Sequence, residues 1–312
     1  MGNMSEIKYC IPTSRFNSFL MSESAASNAI SFILLFGIIF SIYSVIHLGY
    51  VPEWKSETEN SHMTNIWKDM TEIKSKIDRT TLLLMSIPEQ DTESPLTNVK
   101  TTLSFRTGSP KIPLINSAKF RDTVSVNTDQ CNMTLIQANG TERTISRGTI
   151  SYRSNNIYDV DQTFRYENGA LILAQNERAI MKYFPAIRVF EESSGNYTFL
   201  INAVEIQGSG NTLSSSSYCA ICLRNYSFES YDEENASNFT LKIKTDYPDA
   251  WEAYFKEMLN GEGLKEEDYT LYPDKNEQLL TFSFPAESST NSLKRLYIGK
   301  TTVTAELGIG LS

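Results

Sequence analysis

The sequence holds very little of what metal and acid–base chemistry needs. Two His and four Cys occur in 312 residues, too few for most metal-centred sites. There is no Gly-rich phosphate loop, no Gly-x-Ser-x-Gly elbow and no His-Glu-x-x-His pair, so the common nucleotide, esterase and zinc-protease signatures are missing. Excess positive charge is missing too. Lys plus Arg number 28 against 37 Asp plus Glu, a net charge of -9. Such a chain repels polyanions, and nucleic acid is not an expected partner. Neither a cofactor nor an enzymatic activity is expected. At 35.3 kDa the length allows about two domains, or one large β domain.

Charge is also missing locally. No Asp, Glu, Lys or Arg lies between Glu23 and Glu53, and Ala29 to Val51 is a 23-residue apolar run. At about 1.5 Å per residue a helix of this length crosses a hydrocarbon core of about 30 Å. A buried helix of a soluble protein is the competing reading, but such helices are usually shorter and seldom apolar on every face. A cleaved secretory signal is another; its apolar part is shorter and ends in small residues, whereas this run ends Leu48-Gly49-Tyr50-Val51-Pro52. The favoured reading is a retained anchor in a lipid bilayer, carried by Ile30, Phe32, Leu35, Ile39, Ile42, Val45 and Tyr50. Ser31, Ser41 and Ser44 are compatible with it, because their hydroxyls can bond carbonyls one turn back. Tyr50 and Trp54 suit an interfacial belt.

About 260 residues follow the run, and they carry six Asn-x-Ser/Thr sequons, at Asn132, Asn139, Asn196, Asn225, Asn235 and Asn238. These candidate glycosylation sites favour an inside N-terminus and an exported C-terminal part. Flanking charge biases the orientation only slightly: Lys8 and Arg15 stand against Glu6 and Glu23.

Pro52 is expected to kink the helix or begin a new one. Beyond it, Met63, Met70, Ile77 and Leu84 recur every seven residues, with Ile66, Ile73 and Thr80 between them. That stripe predicts a long amphipathic helix ending before Pro88. It packs either on the domain that follows or on the same helix of a second copy. Trp67 widens the stripe, which favours a sheet as its partner.

From about Val99 the period changes to two, and most later segments read as strands. Phe164 to Leu173 reads as a hairpin turning at Asn168-Gly169, and Asn139-Gly140 turns another. One helix interrupts them. Trp251, Tyr254, Phe255, Met258 and Leu259 share a face, with Asp246 as cap and Gly261 and Gly263 as terminators. Gly208 to Ser217 reads as an exposed polar loop. The expected fold class is α+β: a transmembrane helix continuing into a stalk over 25–87, then a mostly antiparallel, sandwich-like head over 96–312, with a further division near 246 left open. Residues 1–24 form a leader or a cytoplasmic tail.

Ala25-Ala26-Ser27-Asn28-Ala29-Ile30-Ser31-Phe32-Ile33-Leu34-Leu35-Phe36-Gly37-Ile38-Ile39 resembles the N-terminal segment of archaeal type IV pilin-like and archaellin-like proteins. In those, a short leader precedes an apolar helix that continues into a β-rich head. The resemblance implies a cell-surface structural protein, a filament subunit whose partners are copies of itself or other pilin-like chains. Two features depart from the pattern. Ser22-Glu23-Ser24-Ala25 separates Arg15 from the apolar run, and the run lacks the acidic residue of the bacterial relatives. An unpolymerised anchored protein with a β head that binds a glycan or envelope component is the alternative.

Cys219-Ala220-Ile221-Cys222 is the one motif that invites redox or metal chemistry. Zinc needs about two more ligands, and His62 lies on the predicted stalk. The pair falls in a strand pattern, on opposite faces. Buried idle thiols are one expectation, and a disulfide among Cys131, Cys219 and Cys222 is the other. Asp159 and Asp161 alternate as calcium ligands do, without the full loop pattern. Tyr226, Phe228 and Tyr231 are either core or a ligand-binding row.

Overall fold

The computed structural model describes residues 23–86, 99–107, 122–214, 218–234 and 236–309. Its contacts divide the chain into two units, Met1–Lys55 and Ser56–Ser312.

In the first unit, α1 (Glu23–Val45) leads into a π-helical turn, Ile46–Tyr50. The Val51 amide donates to the Ile46 carbonyl, five residues back. This widened turn comes just before Pro52, which has no amide to give and whose ring crowds the preceding turn. Every residue from 27 to 50 is exposed. Ser31 and Ser41 donate to the Ser27 and Gly37 carbonyls at 2.9 and 2.8 Å, so their hydroxyls are satisfied within the helix.

The helix α2 (Val51–Met85) follows, and its greater part belongs to the second unit. Among the described residues three sheets and one further helix follow, with strands numbered along the chain. The first runs β1 (Thr101–Arg106), β12 (Tyr218–Glu234), β16 (Ser292–Ile309), β10 (Asn196–Gln207), β9 (Ala186–Ser193). The second runs β11 (Asn211–Ser214), β2 (Thr123–Val126), β5 (Thr149–Arg153), β6 (Gln162–Glu167), β7 (Ala170–Gln175), β8 (Arg178–Tyr183). The third runs β14 (Thr270–Asp274), β15 (Leu279–Phe284), β13 (Phe239–Thr245), β3 (Cys131–Gln137), β4 (Glu142–Arg147). Pairing is antiparallel apart from β10 with β16. The expected mostly antiparallel α+β head is what the structure has.

The first sheet serves two cores, with opposite faces. Along β10, Tyr197, Phe199, Ile201 and Ala203 enter a core shared with the third sheet and α3 (Pro248–Gly261). Val204 and Ile206 enter another core, shared with the second sheet and α2. Successive strand residues point to opposite faces, so the step from Ala203 to Val204 is where the buried face changes. The same change occurs along β16, between Ile298 in the first core and Val303 in the second. In β12 the register shifts between Arg224 and Ser227, with Asn225 at φ 53°. This bulge changes the phase of the strand, so Tyr226 stays buried after Leu223.

Met63, Ile66, Met70, Ile73, Ile77 and Leu84 are all buried in the core shared with the second sheet. The segment read as a stalk is therefore a wall of the head. The unit boundary falls after Lys55 instead of beyond residue 87, because covering this stripe removes more apolar surface from water than leaving it on a free stalk. The division left open near 246 is absent: β13 lies before that point and β15 after it, and they pair. Part of the loop read over 208–217 is a strand, since Asn211–Ser214 pairs with Thr123–Val126. Asp246 does not cap α3. Tyr247 holds the cap position without a side-chain bond, and Pro248 begins the helix.

Candidate functional site

Among the described residues there is no disulfide: Cys131, Cys219 and Cys222 are free thiols. Cys131 lies in β3 of the third sheet and accepts a bond from the Asn168 Nδ2 at 3.3 Å. Cys219 is in β12 of the first sheet, with the Thr107 Oγ1 at 3.5 Å. Different sheets hold the possible partners, and three positions of one strand separate Cys219 from Cys222, buried and half-buried on opposite faces. Burial pushes both the Cys131 and the Cys219 thiols upward in pKa, away from the thiolate that reactive cysteines need. Among the described residues no group of three His, Cys, Asp or Glu is placed to hold a metal. Asp159 and Asp161 accept amide bonds from Val160 and Asn156. Tyr226, Phe228 and Tyr231 form no exposed row: Tyr226 is buried, and the others pack partly against different cores. Of the sequons, Asn132, Asn139, Asn225 and Asn238 are exposed, Asn196 is half-buried, and Asn235 lies outside the described residues.

The head has a cleft of about 660 Å³. Its walls are the last turns of α2, the chain from Phe184 to Arg188, Asn202 and Val204 of β10, and the C-terminal half of α3. The size falls within the range of small-molecule sites. Lys74 holds the inner end, with its Nζ 2.7 Å from the Gly169 carbonyl and 2.8 Å from the Asp78 Oδ2. This bond fastens the Asn168-Gly169 turn, whose residues sit at φ 48° and 79°, in the primed-turn conformation that Asn-Gly tolerates. Unlike most hairpin tips it is fully buried. Asn202 and Thr81 contribute to its walls, while their Oδ1 and Oγ1 atoms are buried without a hydrogen-bond partner. Phe184 and Leu82 are exposed at its rim, and Arg188, Glu257 and Glu262 give it charge of both signs. Tyr254 is not free to react: its hydroxyl donates to the Ile187 carbonyl at 2.6 Å. The arrangement suits recognition of a small amphipathic molecule.

Two buried polar networks stiffen the head. Arg165 is fully buried in β6, with its Nη1 2.6 Å from Asp246 Oδ2 and 3.9 Å from Glu167 Oε2, and its Nη2 3.2 Å from Asp129 Oδ2. Its guanidinium lies 4.5 Å from the Tyr247 ring centre. Burial raises the Glu167 pKa, and Arg165, Thr245 and Trp251 only partly counter it; the Thr245 hydroxyl and the Trp251 indole donate to Glu167 Oε1 at 2.6 and 2.7 Å. At Asp129 burial opposes ionisation, but the Ser151 hydroxyl and the Arg165 and Arg153 guanidiniums win, and its pKa is lowered. Arg165 thus joins the second and third sheets.

The other network lies where α2 enters the head. His62, assigned to a distant stalk by its sequence position, is buried with Nε2 2.9 Å from Asp122 Oδ2 and 3.1 Å from the Tyr152 hydroxyl. Tyr152 donates to the same Asp122 oxygen at 2.5 Å. One turn earlier the buried Glu59 accepts from the amides of Ile157, Tyr158 and Asp159 at 3.3, 2.9 and 2.8 Å. A signal for these residues was present. Glu59 and His62 precede Met63 and Ile66 by four positions each, so they continue the buried stripe of α2 with polar residues. Nothing in the sequence marked Asp122 as their partner, because 60 positions separate it from His62.

The model of a family of unknown function, DUF7289, matches residues 25–293, and the chain belongs to that family. No curated protein and no solved structure matches it.

Proposed function

We propose that this family member is a single-pass membrane-anchored surface protein, with its N-terminus inside and its β-rich head outside the cell. One observation carries the reading: residues 27–50 are apolar on every side and all exposed. Leu48 in the π-helical turn is 82% exposed, and Phe32, Ile33, Leu34, Phe36 and Phe40 of α1 are each more than half exposed. A soluble protein does not leave such a surface in water, and a helix satisfies its own backbone in lipid. The four exposed sequons support the outward placement of the head.

Pilin-like assembly is the narrower form of this reading. It rests on the resemblance over Ala25 to Ile39 and on the order of helix and head. The stripe of α2 is not available for it, since the head's own sheet covers that stripe. Contacts between copies fall to α1 and to the outer surface. The cleft favours a second form, an anchored module that binds a small amphipathic component of the envelope, because its volume and its mixed apolar and charged lining suit one.

Alkaline washing of membranes tests the anchor: the chain stays with the lipid, and its release into the aqueous phase overturns the proposal. Protease added to intact cells removes the head if the orientation is right. Shearing the cells separates the two narrower forms. Filaments containing the chain support assembly, and chain found only in detergent-extracted membranes supports the lone anchored module.

A further inference from the structure

In the loop 154–161 the amides of residues 154–160 are occupied: Ser154 donates to the Gln162 carbonyl at 2.9 Å, Asn155 to Asp122 Oδ1 at 3.0 Å, and Asn156 to Asp161 Oδ1 at 2.7 Å. Ile157, Tyr158 and Asp159 donate to Glu59, and Val160 to Asp159 Oδ1 at 2.8 Å. The Asn156 side chain bonds the Val160 carbonyl at 2.8 Å. Ile157, Tyr158 and Val160 are 62%, 39% and 42% exposed, beside the exposed Asn155 and Asp161. Ordinary surface loops leave more of their amides to water.

We propose that this loop is a second membrane contact, with Ile157, Tyr158 and Val160 seated at the headgroup–acyl boundary of a neutral bilayer; this rests on the anchor reading above. Three features favour lipid over a protein partner. Glu59, which pins the loop, lies nine positions along the chain from Tyr50, the end of the exposed apolar run. Nine residues of chain reach at most about 30 Å however they are arranged, so the loop is tethered within that distance of the end of the apolar run. Amides already bonded within the protein lose little when water is removed. Three side chains fall far short of the roughly 800 Å² per partner that a stable protein interface buries, but they are enough for a shallow insertion beside a covalent anchor. Asp159 and Asp161 make an anionic lipid surface the poorer choice, and the chain's net charge of -9 adds to this.

Tryptophan at the loop tests the proposal. The full-length Ile157→Trp variant is reconstituted in phosphatidylcholine vesicles with and without bromine high on the acyl chains. Val160→Trp serves as a second site, and Tyr272→Trp, 61% exposed on β14, as a solvent control. Relative to wild type, the emission added at residue 157 or 160 is blue-shifted and about two-fold quenched by the brominated lipid, as expected for burial to about 5–10 Å. That added at residue 272 is neither. Unquenched emission at both loop sites in chain that withstands alkaline washing overturns the loop contact and leaves the anchor standing. Loss of the chain from washed vesicles overturns both.

Discussion

Two consecutive helical stretches of this chain solve opposite problems. From residue 27 on, the apolar residues of α1 lie on all sides and are exposed. In α2 they form one stripe, and Met63, Ile66, Met70, Ile73, Ile77 and Leu84 are buried in a core shared with the first and second sheets. Hydrophobic burial drives both, but the solvent differs. The stripe removes its apolar atoms from water by packing on the same chain, whereas α1 needs an apolar medium from outside. Both the overall apolar content and its angular distribution around the axis separate these cases: charge is absent between Glu23 and Glu53 and occupies the outer faces of α2.

Breaking each helix should therefore give separable failures. The largest effect is expected from Ile73→Asp. It removes a fully buried Ile and places a carboxylate in the core, costing upward of about 4 kcal/mol. Chemical denaturation should show loss of the cooperative transition, while the chain still sediments with membranes. Next is Arg165→Met, which strands Glu167, Asp129 and Asp246 without their cation. The expected loss is about 3–5 kcal/mol, with part regained in the double variant that adds Glu167→Gln. Leu35→Arg reverses the pattern. It should cost membrane insertion about 3 kcal/mol and lower the membrane-bound fraction, with the head's melting temperature unchanged.

The smallest effect sharpens the comparison inside α2. Burial, with Glu72 nearby, raises the Asp69 pKa from 3.8 to about 6. A carboxyl that holds its proton more tightly in the folded state contributes stability that is fully present below pH 3.8 and is lost as pH rises through about 6. Asp69→Asn should therefore be more stable than wild type at pH 7 and nearly equal to it at pH 4. Thermal melts at the two pH values measure this, and an equal gain at both would show that the titration is not its source.

Much of the fold was legible in local pattern. The seven-residue recurrence of Met63, Met70, Ile77 and Leu84 located the buried face of α2, and Asn168-Gly169 located a hairpin. The phase change in β10 was not legible. Ala203 and Val204 are both ordinary strand residues, and only the presence of different sheets on the two faces decides which one is buried. The candidate site was least legible. The cleft collects Lys74, Gly169, Asn202 and Tyr254 from parts of the chain that share no motif, and Glu59 and His62 were hidden within a charged helix.

The sequence by itself determined the uncovered apolar run, the amphipathic helix after it, and the strand-rich remainder, because each depends on residues a few positions apart. The tertiary structure alone decided that the amphipathic helix is a wall of the head, that three sheets enclose two cores, that the thiols stay apart, and that one loop turns its apolar side chains outward. Those outcomes depend on contacts between residues tens of positions apart, and hydropathy pattern carries no information about which distant surface meets which.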